Sequence, residues 1–335
     1  MTHPIHQATE ESLFGDLTRE EFYKKHQMLH EESFMLNSRN MKIFTQSWRP
    51  NSVNPLKGIV AVVHGYTCDS SSLIQLTAVA IAKLGFHVCA LDLQGHGYSE
   101  GARGHIPDIN PVVDDCIQYF DSVRSEHKEL PAFLYGESLG GALALLVSLK
   151  QNVGQWKGLI LSGAMCGVSA KLKPFWPLEK LLPVAAFFLS SKRVVLTKPL
   201  TERSFKEEWK RRLVAKNPKR IPSSKPTAGT ALEMMRICEE IEKRSHEVET
   251  PLLVLHGEED LVCDVESATL VYDNARSKDK TLKILPGVWH QFIGEPEEGV
   301  DLAFGTVFSW LEERAKKAIT TCNGLIKEEI THTVI

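Results

Sequence analysis

Five residues, Gly136-Glu137-Ser138-Leu139-Gly140, form a G-x-S-x-G motif between the apolar run AFLY and the Ala/Leu-rich stretch that follows. The motif alone says little, because glycine and serine are common. Its setting says more. A serine on a sharp, strained turn from strand to helix projects its hydroxyl above a sheet, where it can attack a carbonyl carbon. Glycines two residues away on each side remove Cβ atoms that would clash in so tight a turn. The helix starting there also favours negative charge nearby. A serine that only caps the helix is the plainer alternative; the preceding strand and the helix directly after it favour the nucleophile.

Such a nucleophile needs donors aimed at the oxyanion that develops during attack. One is the backbone N–H of the next residue, Leu139. The second is expected from the loop after an earlier strand, and here VAVV runs into His64-Gly65-Tyr66-Thr67-Cys68. Counting along that turn points to the N–H of Tyr66, with His64 bracing the loop. The remaining partners follow in the order serine, acid, histidine. PLLVLHGEEDLVCD offers Glu258, Glu259, Asp260 and Asp264 as the acid. Asp260 lies at the start of the loop, while Asp264 suits the cap of a helix beginning DVESATLVYD. The strand TLKIL and a Pro-Gly turn lead to His290. Of thirteen histidines it alone has that placement: His87 and His256 fall within strands, His96 and His105 in loops. In this reading His290 takes the Ser138 proton and returns it to the leaving group, and Asp260 fixes the tautomer. No cofactor and no metal are needed.

The elements that must hold these residues are legible as well. MKIFTQSW (41–48) alternates as a half-buried strand should. GIVAVVHG (58–65), FHVCALD (86–92), AFLYG (132–136), KGLILSG (157–163) and PLLVLHG (251–257) are short apolar runs, as in parallel strands buried on both faces. Amphipathic stretches at 71–84, 109–127 and 139–150 separate them, which predicts a doubly wound α/β fold. The rhythm breaks between about 165 and 246, where prolines, aromatic pairs and long basic helices replace strands. That stretch reads as a helical cap over the strand ends, where ligands bind in open α/β sheets. The expected organisation is an N-terminal arm (1–30) leading into a helix, a core (31–164 and 247–318), the cap (165–246) and a C-terminal tail (319–335).

Bulk properties narrow the class. Hydrophobic residues make up 43% and charged residues 24%, enough for a packed core. The net charge of −3 argues against a nucleic-acid binder. It conceals an asymmetry: residues 166–246 hold 18 basic and 8 acidic side chains, net +10, so the rest carries −13. Seven cysteines without a repeated short spacing suggest buried thiols in a reducing compartment. No CxxC or HExxH spacing marks a metal site. No secretory signal is visible, and LLPVAAFFL (181–189) is about half of the roughly 18 apolar residues a membrane span needs. The expected location is cytoplasmic, with peripheral membrane contact through the basic cap as a further expectation.

Together, VVHGYTCDSS, ALDLQGHGYSEG, PAFLYGESLGGA, PLLVLHGEEDLVCD and DKTLKILPGVWHQFIGEP resemble the monoacylglycerol lipase family of α/β-hydrolases, in particular its plant branch with lysophospholipase-like enzymes and caffeoylshikimate esterase. The likeness spans roughly residues 30–315. It implies the α/β-hydrolase fold: a mostly parallel, eight-stranded sheet with helices on both faces and a helical lid. It also implies a serine ester hydrolase with its triad on Ser138, Asp260 and His290 and its oxyanion donors on Tyr66 and Leu139. The QGHG segment (94–97) departs from the arginine-containing form common across hydrolases, which changes a loop contact and leaves the triad untouched. Some relatives are discussed as acyltransferases through H-x-x-x-x-D; here His64 to Asp69 and His87 to Asp92 fit that spacing and are more simply structural. Three activities stay open: hydrolysis of monoacylglycerols or lysophospholipids, hydrolysis of a phenylpropanoid ester such as caffeoyl shikimate, and ligand reception with weak turnover. The apolar cap segment KPFWPLEKLLPVAAFFL suits an acyl chain or an aromatic acid.

Overall fold

The computed structural model describes residues 2–52, 55–169, 178–194, 200–221 and 225–333. Eight strands form one sheet: β1 (Met28–Leu36), β2 (Lys42–Pro50), β3 (Gly58–Val63), β4 (Phe86–Leu91), β5 (Ala132–Glu137), β6 (Gly158–Ser162), β7 (Leu252–Gly257) and β8 (Lys280–Leu285). Their order is β1-β2-β4-β3-β5-β6-β7-β8. Only β2 runs against its neighbours; every other pair is parallel. All residues of β3 to β7 are buried, because helices cover both faces.

Alternate residues of each strand serve opposite cores. Ile59, Ala61 and Val63 pack toward α3 (Asn110–Glu126), α4 (Leu139–Lys150) and α9 (Val265–Asn274). Val60 and Val62 pack toward α1 (Arg19–Lys25), α2 (Ile74–Lys83) and α10 (Glu297–Thr333). Residues 139–150 do not form the amphipathic helix expected of them: α4 is buried from Leu139 through Val147, so its sequence there is apolar all round instead of striped.

Between β6 and β7 the chain leaves the sheet for α5 (Leu182–Leu189), α6 (Leu200–Ser204), α7 (Glu208–Ala215) and α8 (Ala228–Arg244). No strand occurs there among the described residues, only a bridge from Val168 to Cys263. The anticipated long basic helices differ from what forms. Helix α7 is short, and α8 is nearly balanced because Arg236 and Arg244 pair with Glu233, Glu240 and Glu247. Residues 173–177 of the apolar cap segment lie outside the described residues.

Strand β1 is an element that the pattern did not announce. It is an edge strand paired with β2 alone, largely exposed, so Glu31, Glu32 and Ser33 fill its middle and no apolar alternation survives. The preceding segment, anticipated as a polar arm leading into a helix, carries α1, opened by a reciprocal Thr18–Glu21 capping box. Ile5 and Phe22 from this segment are 1% and 0% exposed and join the core beneath α2 and α10. Phe22→Ala is therefore expected to cost about 3–5 kcal/mol of unfolding free energy, as for other deleted core phenylalanines. Urea denaturation against wild type measures it, and no measurable loss would mean the segment is only loosely attached.

Candidate active site

Strand β5 ends at Glu137 and α4 begins at Leu139, so a single residue turns the chain. Ser138 does this with φ 55° and ψ −121°, a conformation that costs free energy for a residue with a Cβ. The neighbouring structure enforces it. The Ser138 N–H donates to Ser162 O at 3.1 Å, and Ser138 O accepts from Gly141 and Met165 amides at 2.9 Å each. The flanking glycines are required by contact: a Cβ at Gly136 would stand 2.2 Å from Gly140 O, and one at Gly140 would stand 2.1 Å from Val63 O.

The loop after β3 approaches from the side. A Cβ at Gly65 would lie 3.2 Å from Ser138 Cβ and 3.7 Å from Ser138 Oγ, so this backbone sits directly against the serine. The next amide is that of Tyr66, and the Leu139 amide opens α4. His64 holds the loop in place: its Nε2 accepts from the Leu93 N–H at 3.0 Å, which leaves Nδ1–H to donate to Gly65 O at 2.8 Å. The Tyr66 hydroxyl donates to Gly104 O at 2.8 Å. Both H-x-x-x-x-D aspartates have structural partners. Asp92 accepts from the Ser70 amide and hydroxyl at 2.6 Å each, and Asp69 accepts from Asn217 Nδ2 at 2.7 Å.

Asp260 and His290 arrive from the loops after β7 and β8. His290 Nε2 lies 2.9 Å from Ser138 Oγ, and His290 Nδ1 lies 2.8 Å from Asp260 Oδ2. Asp260 Oδ1 accepts from the amides of Val262 (2.7 Å) and Cys263 (2.9 Å). The other three acids are placed elsewhere: Asp264 caps α9 through the Ser267 amide, while Glu258 and Glu259 are exposed. The histidine loop is pinned on both sides of residue 290. The Trp289 amide donates to Glu295 Oε1 at 2.8 Å, and the Gln291 amide donates to Ser204 O of the cap at 2.8 Å.

Electrostatics follow from burial. Desolvation alone would raise the Asp260 carboxyl, but His290 and then His256 outweigh it and hold it well below the usual carboxylate range. His256 Nε2 lies 3.1 Å from Asp260 Oδ2, close but not aligned as a hydrogen bond. Glu137, buried beside Ser138, behaves oppositely: burial pushes its carboxyl up to about 7, against the Tyr135 hydroxyl that donates to it at 2.7 Å. Ligand atoms of Asp260, Cys263 and His290 lie within 4.8 Å of one another. Burial, then the Asp260 charge, pushes the Cys263 thiol well up, so it is a protonated neighbour and a poor metal ligand. The described cysteines form no disulfide.

Ser138 and His290 open into a cavity of about 420 Å³, counting its mouth, lined also by Thr67, Phe205, Val214, Arg220 and Gln291. Of the residues singled out in the sequence, Ser138, His290 and Tyr66 line this cavity, Asp260 is hydrogen-bonded to His290, and Leu139 follows Ser138 in the chain. Glu137, Arg220, His256 and Gln291 were not singled out for the site. Glu137 was in view as the variable residue of the motif, but its burial is a property of the packed sheet.

Comparisons with known proteins agree with this architecture. Residues 54–297 match the family model described as serine aminopeptidase, S33. The caffeoylshikimate esterase of Arabidopsis thaliana is 32% identical over 311 residues, covering 91% of this chain and 92% of that protein. The monoglyceride lipase of Homo sapiens is 27% identical over 298 residues, covering 85% and 92%. Among solved structures, a soluble variant of the monoglyceride lipase from Saccharomyces cerevisiae has a TM-score of 0.74 at 21% identity, covering 85% of this chain and 95% of that one. This fold, with its helical insertion, is the α/β-hydrolase fold. By the family match and the full-length kinship, the chain belongs to the serine aminopeptidase S33 family of α/β-hydrolases.

Proposed function

We propose that the chain is a serine-dependent carboxylic ester hydrolase of the monoacylglycerol lipase type, acting on monoacylglycerol- or lysophospholipid-like acyl esters through an acyl-enzyme. The observation that carries this is the hydrogen-bonded series Asp260–His290–Ser138, at 2.8 and 2.9 Å, at a cavity whose wall mixes Leu200, Phe205, Val214 and Val262 with polar side chains. His290 Nε2 accepts the Ser138 proton as Oγ attacks the ester carbonyl carbon. The carbonyl oxygen becomes an oxyanion facing the amides of Tyr66 and Leu139. Collapse expels the alcohol, which takes the proton from His290 and leaves an acyl-Ser138. Water, deprotonated by the same imidazole, attacks that ester and releases the acid. Asp260 stays ionised throughout, which fixes the Nδ1–H tautomer and stabilises the imidazolium.

A phenylpropanoid esterase is the second reading, favoured by the 32% identity to a caffeoylshikimate esterase across nine-tenths of the chain. Peripheral contact with a membrane is a separate part of the proposal. Phe187 and Phe188 on α5 are 82% and 75% exposed, beside basic cap residues such as Lys192. Together they suit an anionic lipid surface. No described helix is long and apolar enough to cross a membrane.

Hydrolysis of monoolein, lysophosphatidylcholine and caffeoyl shikimate should fall to background in Ser138→Ala, and activity surviving in that variant would overturn the mechanism. Asp260→Asn should lower kcat by about 10⁴-fold with the fold intact. Glu137 supplies a pH test of the site's burial. Its pKa rises from an ordinary 4.5 to about 7 on folding, so its stabilising effect is full below 4.5 and is lost as pH rises through about 7. Urea midpoints should therefore fall less over that window in Glu137→Gln than in wild type. For the membrane, pelleting with anionic vesicles should exceed pelleting with neutral ones, and Phe187→Ser should reduce it; indifference to both ends the idea.

A further inference from the structure

We infer that Arg220 recognises an anionic group on the substrate, so that the preferred esters carry a carboxylate or phosphate near the scissile bond. This rests on the ester-hydrolase reading and adds the substrate class.

Arg220 lines the cavity that holds Ser138 and His290, and it is the only permanently charged side chain among the described lining residues. It also lines the narrow adjoining recess, with Ser72, Asn217, Gln291 and Glu137. Among the described residues no carboxylate answers its charge: none lies within 4.0 Å of it, and Glu137 is held by the Tyr135 hydroxyl instead. The contact Arg220 does make is with a neutral group: Nη2 donates to Thr201 Oγ1. A guanidinium has five N–H donors in a planar fork, more than one hydroxyl can occupy. A half-buried cation facing a cavity is costly unless an anion pairs with it. Carboxylates and phosphates match the fork in two-point geometry.

The side chain is also held ready. The Arg220 amide donates to Asn217 O at 3.2 Å, and Asn217 Oδ1 accepts from the Lys219 amide at 2.9 Å. Asn217 Nδ2 ties this turn to Asp69 of the loop that follows Tyr66, at 2.7 Å. From the core, Arg103 reaches the carbonyl oxygens of Lys219 and Arg220. Two body contacts therefore fix the cap turn that presents the cation. The charge distribution acts in the same direction: a cap segment of +10 above a body of −13 draws anions toward the cap. If Arg220 served only to hold Thr201 and α6, the charge of the substrate would not matter.

Two ester pairs that differ only in the anion test this: caffeoyl shikimate against its methyl ester, and octanoyl lysophosphatidate against monooctanoylglycerol. Wild type should favour the anionic member of at least one pair in kcat/KM by roughly ten- to hundred-fold, the range for a hydrogen bond to a charged group. Which pair responds tells carboxylate from phosphate. Arg220→Gln should bring that ratio to about one, with Arg220→Lys retaining part of it. The same esters titrated calorimetrically into Ser138→Ala should show the same preference in Kd, lost in the double variant with Arg220→Gln. Equal constants within both pairs overturn the assignment, as does an Arg220→Gln ratio equal to wild type. Should Arg220→Gln fail to fold, Arg220→Met takes its place under the same criterion. Anion-dependent binding without turnover of any ester would refute the hydrolase reading and leave the anion site standing.

Discussion

A buried carboxylate needs its full set of partners, and Asp260 is the point at which two loops of this protein are forced to agree. Its Oδ1 takes two amides of its own loop, and its Oδ2 takes the imidazole of His290. Removing water from this group would disfavour its charge. The histidines around it restore that charge and keep it well below its ordinary range. A carboxylate held so firmly orients the ring that contacts Ser138. The reactive hydroxyl is thus positioned by an acid that never touches it.

The second constraint is the turn at Ser138. A left-handed backbone at a residue with a Cβ is maintained because Ser162, Gly141 and Met165 hold both of its peptide groups. Close approach of Gly65 then brings a second loop against the serine, leaving little room for a side chain. Strain, close packing and donor placement are here a single arrangement. Loosening the sheet edge would therefore displace the hydroxyl and the amides together.

The cap is bound into the same arrangement. Ser204 holds the amide next to His290, Asn217 grips the loop after Tyr66, and the Tyr66 hydroxyl meets the Gly104 carbonyl, which also accepts from Thr230 of the cap. Ile237 and Ile241 of α8 anchor the insertion in the core. The cap therefore shapes the cavity and also touches each loop on which the chemistry would depend. Phe187 and Phe188 of α5 take no part in these contacts and stay exposed.

What could be read from the chain alone was whatever is local. A central parallel strand must be apolar on both faces, so β3 to β7 show as continuous runs, and the residues just past those runs are the ones presented at the sheet's edge. Ser138, Asp260 and His290 were legible for that reason. Strand β1 was not, since an exposed edge strand places no such demand on its sequence. Nor could the sequence reveal the burial of Glu137 or the exposure of Arg220 to the cavity. Those depend on distances across the sheet and between cap and body. Burial, counter-charge and hydrogen-bond reach are properties of neighbours in space, and only the packed structure determines which neighbours a side chain has.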